Sequence, residues 1–356
     1  MQIARLRPRY LWIQWRQWLR SGESALLVAA ILVGTAAGLA TVAQGAVAHS
    51  IQRLLYGVGI NRLSALTSIH HPVKLLFLPI GAVLVGLSYR YARHRRTPID
   101  VVEANALHGG LVPPRDTLTV CAQTILSNGC GASVGLEAAY AQAGGGIASL
   151  AGKWLRLRRE DMRILVGAGA GAAVGAAFSA PLTGAFYGFE VVIGAYTPAA
   201  IAPVAGAALS GALLARAMGT VPFLVVTAST EQITTPDYLF FAVLGVISAV
   251  VGIIIMRLES LLEHGFARSG LPQPWRTLVG GLLLMPIVWL SPQALSSGHG
   301  ALRMEIAVQP AVTLLAFVFL MKALASCISL SCGFRGGLFF ASLFLGSCSG
   351  RSIPKC

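Results

Sequence analysis

From Ser24 to Ala48 the chain carries no charged side chain, and apolar stretches of this kind return along its whole length. Glu23–Ala48 and Pro72–Tyr91 each meet the roughly 20 residues that a helix needs to cross a hydrocarbon core. Further stretches follow at Thr117–Leu126, Ile164–Phe178, Pro198–Leu214, Leu239–Met256, Leu278–Leu290 and Val312–Leu330, several of them short or broken by glycine and proline. A backbone in lipid has no water to bond, so runs like these satisfy their own peptide groups as α-helices. The expected fold class is all-α, a polytopic membrane protein.

Composition agrees. The 356 residues are 55% hydrophobic and only 11% charged, whereas a soluble domain is about a quarter charged. So few charges cannot solvate a globule of this size, which argues against a soluble enzyme. The net charge of +14 would point to nucleic acid in a soluble protein. Here the basic residues sit in short clusters between apolar runs: Arg5, Arg7 and Arg9; Arg16 and Arg20; Arg90 to Arg96; Lys153 to Arg163. That is the pattern of cytoplasmic loops facing anionic lipid, so the expected partner is the lipid bilayer and not nucleic acid. Residues 1–22, with RYLWIQWRQWLR, read as an interfacial helix at the cytoplasmic face. Residues 23–356 read as the transmembrane domain, and the expected location is the bacterial inner membrane.

Chemistry that makes and breaks bonds is not indicated. The six cysteines show no metal-ligand spacing, and no nucleophile–base pattern or phosphate loop stands out. No cofactor, metal or enzymatic activity is expected.

Two places break the helical pattern. Gly109–Leu150 contains SNGCGASVGLEAAYAQAGGG, too glycine-rich for one ordinary spanning helix, and Ser331–Gly346 reads SCGFRGGLFFASLFLG. Irregular backbone at membrane depth survives only inside protein or along a cavity, and paired short helices meeting near mid-membrane are how many transporters build their sites. Glu137 stands where the first loop gives way to an apolar helical run. A carboxylate inside the membrane is costly, and a helix N-terminus would hold either it or an inorganic anion in its place. Glu137 is therefore a candidate gate that protonation would release; the other reading is a plain capping carboxylate.

Thr97-Pro98-Ile99-Asp100 has the form of a capping box, with Thr97 as N-cap, Pro98 in the first turn and Asp100 closing the box. Its hydroxyl either faces an anion or merely caps. Gly336-Gly337-Leu338-Phe339 opens another short helix, where consecutive glycines let backbone amides approach a ligand. Glu190 reads as a lone buried acid needing a partner, either a structural hydrogen-bond acceptor or part of a proton path. Gly167–Phe178 is dense in small residues at four-residue spacing and reads as helix–helix packing.

These three helix starts, in this order, resemble the chloride-channel (CLC) family of anion channels and anion/proton exchangers, from about Gly34 to Gly346. GASVGLEAA is similar to the family's glycine-basic-glutamate-glycine-proline signature. AAFSAPLTGAFYGFE is similar to its Asn-Ala-Pro-Leu helix, and GGLFFASLFLG to its Gly-x-Phe-x-Pro motif. The resemblance implies short broken helices meeting mid-membrane in an inverted repeat, here about 23–219 with a partial second copy at about 235–350. It also implies a homodimer and chloride as the ion. Glu137 would be the gating glutamate, with Thr97, Leu136, Gly337, Leu338 and Phe339 around the anion and Glu190 on a possible proton path.

Departures from the family pattern carry expectations of their own. Leu136 replaces the basic residue before the gate, Ala138 and Ala139 replace Gly-Pro, and Ala341 replaces the third motif's proline. Val191 stands where exchangers carry an inner glutamate, and a valine cannot relay a proton. That favours a passive channel over a chloride/proton antiporter. The family also continues through further helices, one bearing a tyrosine, so a truncated, non-conducting member is the remaining expectation.

Overall fold

The computed structural model describes residues 23–59, 63–66, 68–69, 71–93, 97–220, 235–308 and 311–351. The interfacial helix expected over 1–22 lies outside the described residues. Thirteen α-helices are described, and among the described residues there is no β-strand. In chain order they are α1 Glu23–Tyr56, α2 Phe77–Arg93, α3 Val101–Leu107, α4 Pro114–Gly129, α5 Glu137–Leu155, α6 Arg159–Phe178 and α7 Pro181–Tyr187, which runs on as a π-helical turn, Gly188–Ile193. Then come α8 Pro198–Ala217, α9 Thr235–Arg268, α10 Gln273–Leu290, α11 His299–Val308, α12 Val312–Ser331 and α13 Phe339–Arg351.

Among the described residues, six segments are long and apolar enough to cross a membrane: Ser24–Tyr56, Pro72–Tyr91, Arg159–Phe178, Pro198–Ala217, Tyr238–Arg268 and Val312–Ser331. The chain is a multi-pass integral membrane protein, as its charge-poor runs require. Helix α6 starts before the apolar stretch at Ile164, because Glu160 and Asp161 in its first turn complement the positive end of the helix dipole.

The cap expected at Thr97 is corrected. Asp100 is the N-cap of α3, in extended conformation, and its carboxylate accepts the Glu103 N–H at 2.8 Å. Thr97 is exposed and lies ahead of the helix. Pro98 disfavours helical backbone at the residue before it, and the Ile99 N–H is drawn to Asp116 Oδ2 at 3.1 Å instead of into a helix. The helix can begin only after both constraints.

The chain packs as two compact units. The first comprises Met1–Gly45, Pro98–Cys121 and Ala139–Leu224. Its core is small side chains, because α6 packs tightly on α7 and α8. Gly171 and Gly184 face each other so closely that a Cβ on Gly171 would sit 2.5 Å from the Gly184 carbonyl oxygen. Likewise a Cβ on Gly38 would sit 2.7 Å from the Gly211 carbonyl oxygen. In lipid, where burying apolar surface between helices gains little, such close backbone approach supplies the packing. Buried polar groups tie the shorter elements in: Asn105 Nδ2 donates to Val192 O at 2.7 Å, and Gln142 Nε2 to Ile99 O at 3.2 Å. Gly171→Leu would push an isobutyl group against backbone that cannot retreat, so it should cost at least the roughly 1–3 kcal/mol of an overpacked core. Thermal melting of the purified protein in detergent should show a clear fall; an unchanged melting temperature would contradict the glycine contact.

The second unit comprises Ala46–Thr97, Ala122–Ala138 and Val225–Cys356. Here α2 packs on α10, and α12 packs on α9, α10 and α13. Its core holds Tyr56, Leu63, Leu78, Val85, Leu284, Leu295 and Phe334, with the Tyr56 and Phe77 rings edge to face at 5.6 Å. Helix α9 leaves Phe240, Val246 and Ile253 exposed, a surface suited to lipid.

Candidate functional site

Both interrupted stretches deliver their loops to the second unit, where the two loops pair. The Gly135 N–H donates to Gly337 O at 2.8 Å and the Gly337 N–H to Gly135 O at 3.2 Å, a single antiparallel bridge. Two residues beyond each glycine a helix begins, α5 at Glu137 and α13 at Phe339. The bridge therefore brings two helix N-termini, with their positive dipole ends, to one place.

The pairing has a local two-fold character that extends to the sequence. Cys130-Gly131, Gly135-Leu136 and Glu137 in one loop correspond to Cys332-Gly333, Gly337-Leu338 and Phe339 in the other. Gly131 and Gly333 both turn the chain with φ +96, a conformation that a side chain would strain. The Ser133 N–H donates to Ser329 Oγ at 3.1 Å, and in the mirrored bond the Arg335 N–H donates to Ser127 Oγ at 3.1 Å. Each loop is thus held by a serine from the helix preceding its partner loop. The glycines Gly81 of α2 and Gly280 of α10 lie against Cys130 and Cys332 in the same symmetric way.

Glu137 is buried, 8% exposed. Its carboxylate folds back over the bridge: a Cβ on Gly337 would lie 2.6 Å from Glu137 Oε2, and one on Gly135 would overlap the carboxylate outright. Gly336 serves a different purpose, since a Cβ there would strike Val134 Cβ at 2.5 Å and the Gly135 carbonyl oxygen at 2.7 Å. The three glycines give one site, two of them making room for a carboxylate and one letting the loops meet.

Of the expected site residues, the structure brings together Leu136, Glu137, Gly337, Leu338 and Phe339. Thr97 contributes no cap here, as described above. Glu190 lies in the first unit and, contrary to the burial expected of it, is exposed; it accepts the Tyr196 hydroxyl at 2.6 Å. That hydrogen bond holds the Tyr196 phenol above its usual range. Val191 is also exposed.

Sequence reasoning missed a buried polar frame around the first loop. Gln52 Nε2 donates to Asn128 Oδ1 at 2.9 Å and to Ser296 Oγ at 3.1 Å, while Asn128 Nδ2 donates to Val134 O at 2.7 Å and to Ser296 Oγ at 3.0 Å. It also missed Lys322, fully buried within α12. A lone lysine in the otherwise uncharged run VTLLAFVFLMKALASCISLS was signal enough, because an intramembrane charge marks function by default.

A helical, multi-pass membrane protein whose two broken segments pair at their helix starts belongs among the transporters and channels. Residues 80–355 match the family model described as voltage gated chloride channel, and the chain belongs to that family. It is 28% identical over 332 residues to a ClcB-like protein of Ralstonia nicotianae, covering 91% of this chain and 77% of that one. It is 28% identical over 297 residues to a chloride/fluoride channel protein of Pseudomonas syringae pv. tomato, covering 80% of this chain and 64% of the relative. Among solved structures it is similar to a CLC-type fluoride/proton antiporter, with TM-score 0.78 and 23% identity over 92% of this chain and 80% of that one. It is similar also to a slow cyanobacterial chloride/proton antiporter, with TM-score 0.77 and 24% identity over 92% and 78%. The all-α polytopic fold expected from the sequence is the fold these structures share.

Proposed function

We propose that the chain passes chloride and related monovalent anions across the membrane as a passive channel, with Glu137 as its protonatable gate. The observation that carries this reading is the Glu137 carboxylate folded against the Gly135–Gly337 bridge, beside two helix N-termini. Those ends favour negative charge. A carboxylate seated there holds the position an anion would take, and protonation weakens its claim. Leu136, Gly337, Leu338 and Phe339 serve through their backbone, which explains why apolar residues and glycine suffice. Thr97, exposed and outside the cap, has no part in this reading.

Names carried by relatives support chloride first and fluoride as a second ion to try. The reading includes a homodimer in a bacterial inner membrane, with the repeat division near 23–219 and 235–350. Coupled exchange is the second reading; it would draw on Glu190, the exposed acid bonded to Tyr196. Val191 beside it offers no proton relay. Protein reconstituted into liposomes with an imposed chloride gradient discriminates the two. Chloride should run down its gradient without driving protons uphill. Proton pumping in fixed ratio to chloride would replace the channel by an exchanger, and no chloride flux at all would remove both.

A further inference from the structure

Lys322 is the one charged side chain in α12, and it is completely buried. An ammonium in a low-dielectric interior is costly unless hydrogen bonds hold it. The Lys322 Nζ donates to Ser296 O at 2.6 Å and to Ala294 O at 3.2 Å.

The surroundings connect it to the bridge by two routes. Ser326 and Ser329 lie one and two turns further along the same face of α12; Ser326 Oγ pairs with Ser133 Oγ at 3.1 Å, and Ser329 Oγ accepts the Ser133 N–H at 3.1 Å. On the other side, the Ser296 N–H donates to Gly131 O at 3.2 Å, and Ser296 Oγ accepts from Asn128 at 3.0 Å. Gly131 and Ser133 belong to the loop that ends at Glu137. The Lys322 Nζ is thus locked into the frame of that loop. Arg335, a cation within the second loop, donates its guanidinium to Gln123 Oε1 at 3.3 Å.

We propose that Lys322 is a positioning residue for the anion path, a fixed countercharge that keeps the seat at the Gly135–Gly337 bridge attractive to negative charge whether Glu137 or an anion fills it. The proposal deepens the anion-path reading above and rests on it. It also accounts for Leu136: the positive charge absent just before the gate comes from another helix.

Chloride titration of the full-length protein in detergent, followed by calorimetry, tests this without relying on flux. Glu137→Gln removes the competing carboxylate and supplies the reference. Adding Lys322→Met, which keeps the length of the side chain and deletes its charge, should weaken chloride binding about ten-fold or more. Because that double variant removes both charges together, it avoids stranding one of them. Lys322→Arg in the same background should recover binding to within about three-fold. Equal affinity with and without the lysine charge overturns the proposal while leaving the anion path standing. So does weakening that Arg and Met share equally, which marks a role of shape. Failure of wild type and Glu137→Gln alike to bind chloride overturns the anion path, and the proposal with it.

Discussion

Glu137→Gln should give a protein whose chloride flux no longer responds to pH. In the proposed function the carboxylate and chloride compete for one positive seat, and only the ionised form competes well. Acidification neutralises the side chain, so flux should rise as pH falls, by up to about ten-fold per unit on the alkaline side of the carboxyl's titration. Glutamine has the same shape but no charge to bring to two helix N-termini. The variant should therefore sit on a high, flat plateau wherever the wild type slopes. Chloride efflux from liposomes, read with an ion-selective electrode from about pH 4 to about pH 9, checks it. A slope equal to that of the wild type would end the role of Glu137 as gate and leave it a capping residue.

The sign matters as much as the size. A gate that closed on acidification would mean that the carboxylate helps conduct, for example by relaying protons or repelling a second anion. The geometry argues otherwise, since the side chain is folded onto the bridge glycines and not extended away from them.

How far the sequence could be read follows from the range of the interactions involved. The spanning helices were legible because lipid imposes a local rule, long apolar runs without charge, and each helix satisfies its own backbone. Glu137 was legible for the same reason in reverse, a charge where charge is costly. Thr97 misled because a Thr-Pro pair looks like a helix start in isolation. The competition between Thr97 and Asp100 was decided by Asp116, a residue beyond the helix it helps place. The Gly135–Gly337 bridge joins residues distant in sequence, and no local pattern announces such a pairing. Even so, the repeated Cys-Gly and Gly-Leu steps at 130–136 and 332–338 were on view and pointed to two similar loops. One lysine barely changes the hydropathy of a 20-residue helix, so Lys322 is visible in the sequence only as a charge where charge is costly; its complete burial comes from the packing of the second unit.

Neighbouring glycines in that second loop should separate folding from gating. Gly336→Ala places a methyl group 2.5 Å from Val134 Cβ and 2.7 Å from the Gly135 carbonyl oxygen. Both belong to the paired loop, which its own hydrogen bonds hold in place. The loops must part, so this variant should lose roughly 1–3 kcal/mol of stability as an overpacked site, together with most of its flux. Gly337→Ala meets something movable instead: the nearest atom is Glu137 Oε2 at 2.6 Å, the far end of a flexible side chain. The carboxylate can swing away, so the fold should survive with a loss below about 1 kcal/mol. Flux should then lose its pH slope, because the carboxylate cannot return to a seat partly filled by a methyl group. The same methyl narrows the seat for chloride, so the plateau should stay below that of Glu137→Gln. Melting temperature and efflux measured on both variants decide the matter. If Gly337→Ala unfolds while Gly336→Ala keeps a normal pH-dependent flux, the carboxylate does not rest on Gly337, and the seat must be sought elsewhere in the second unit.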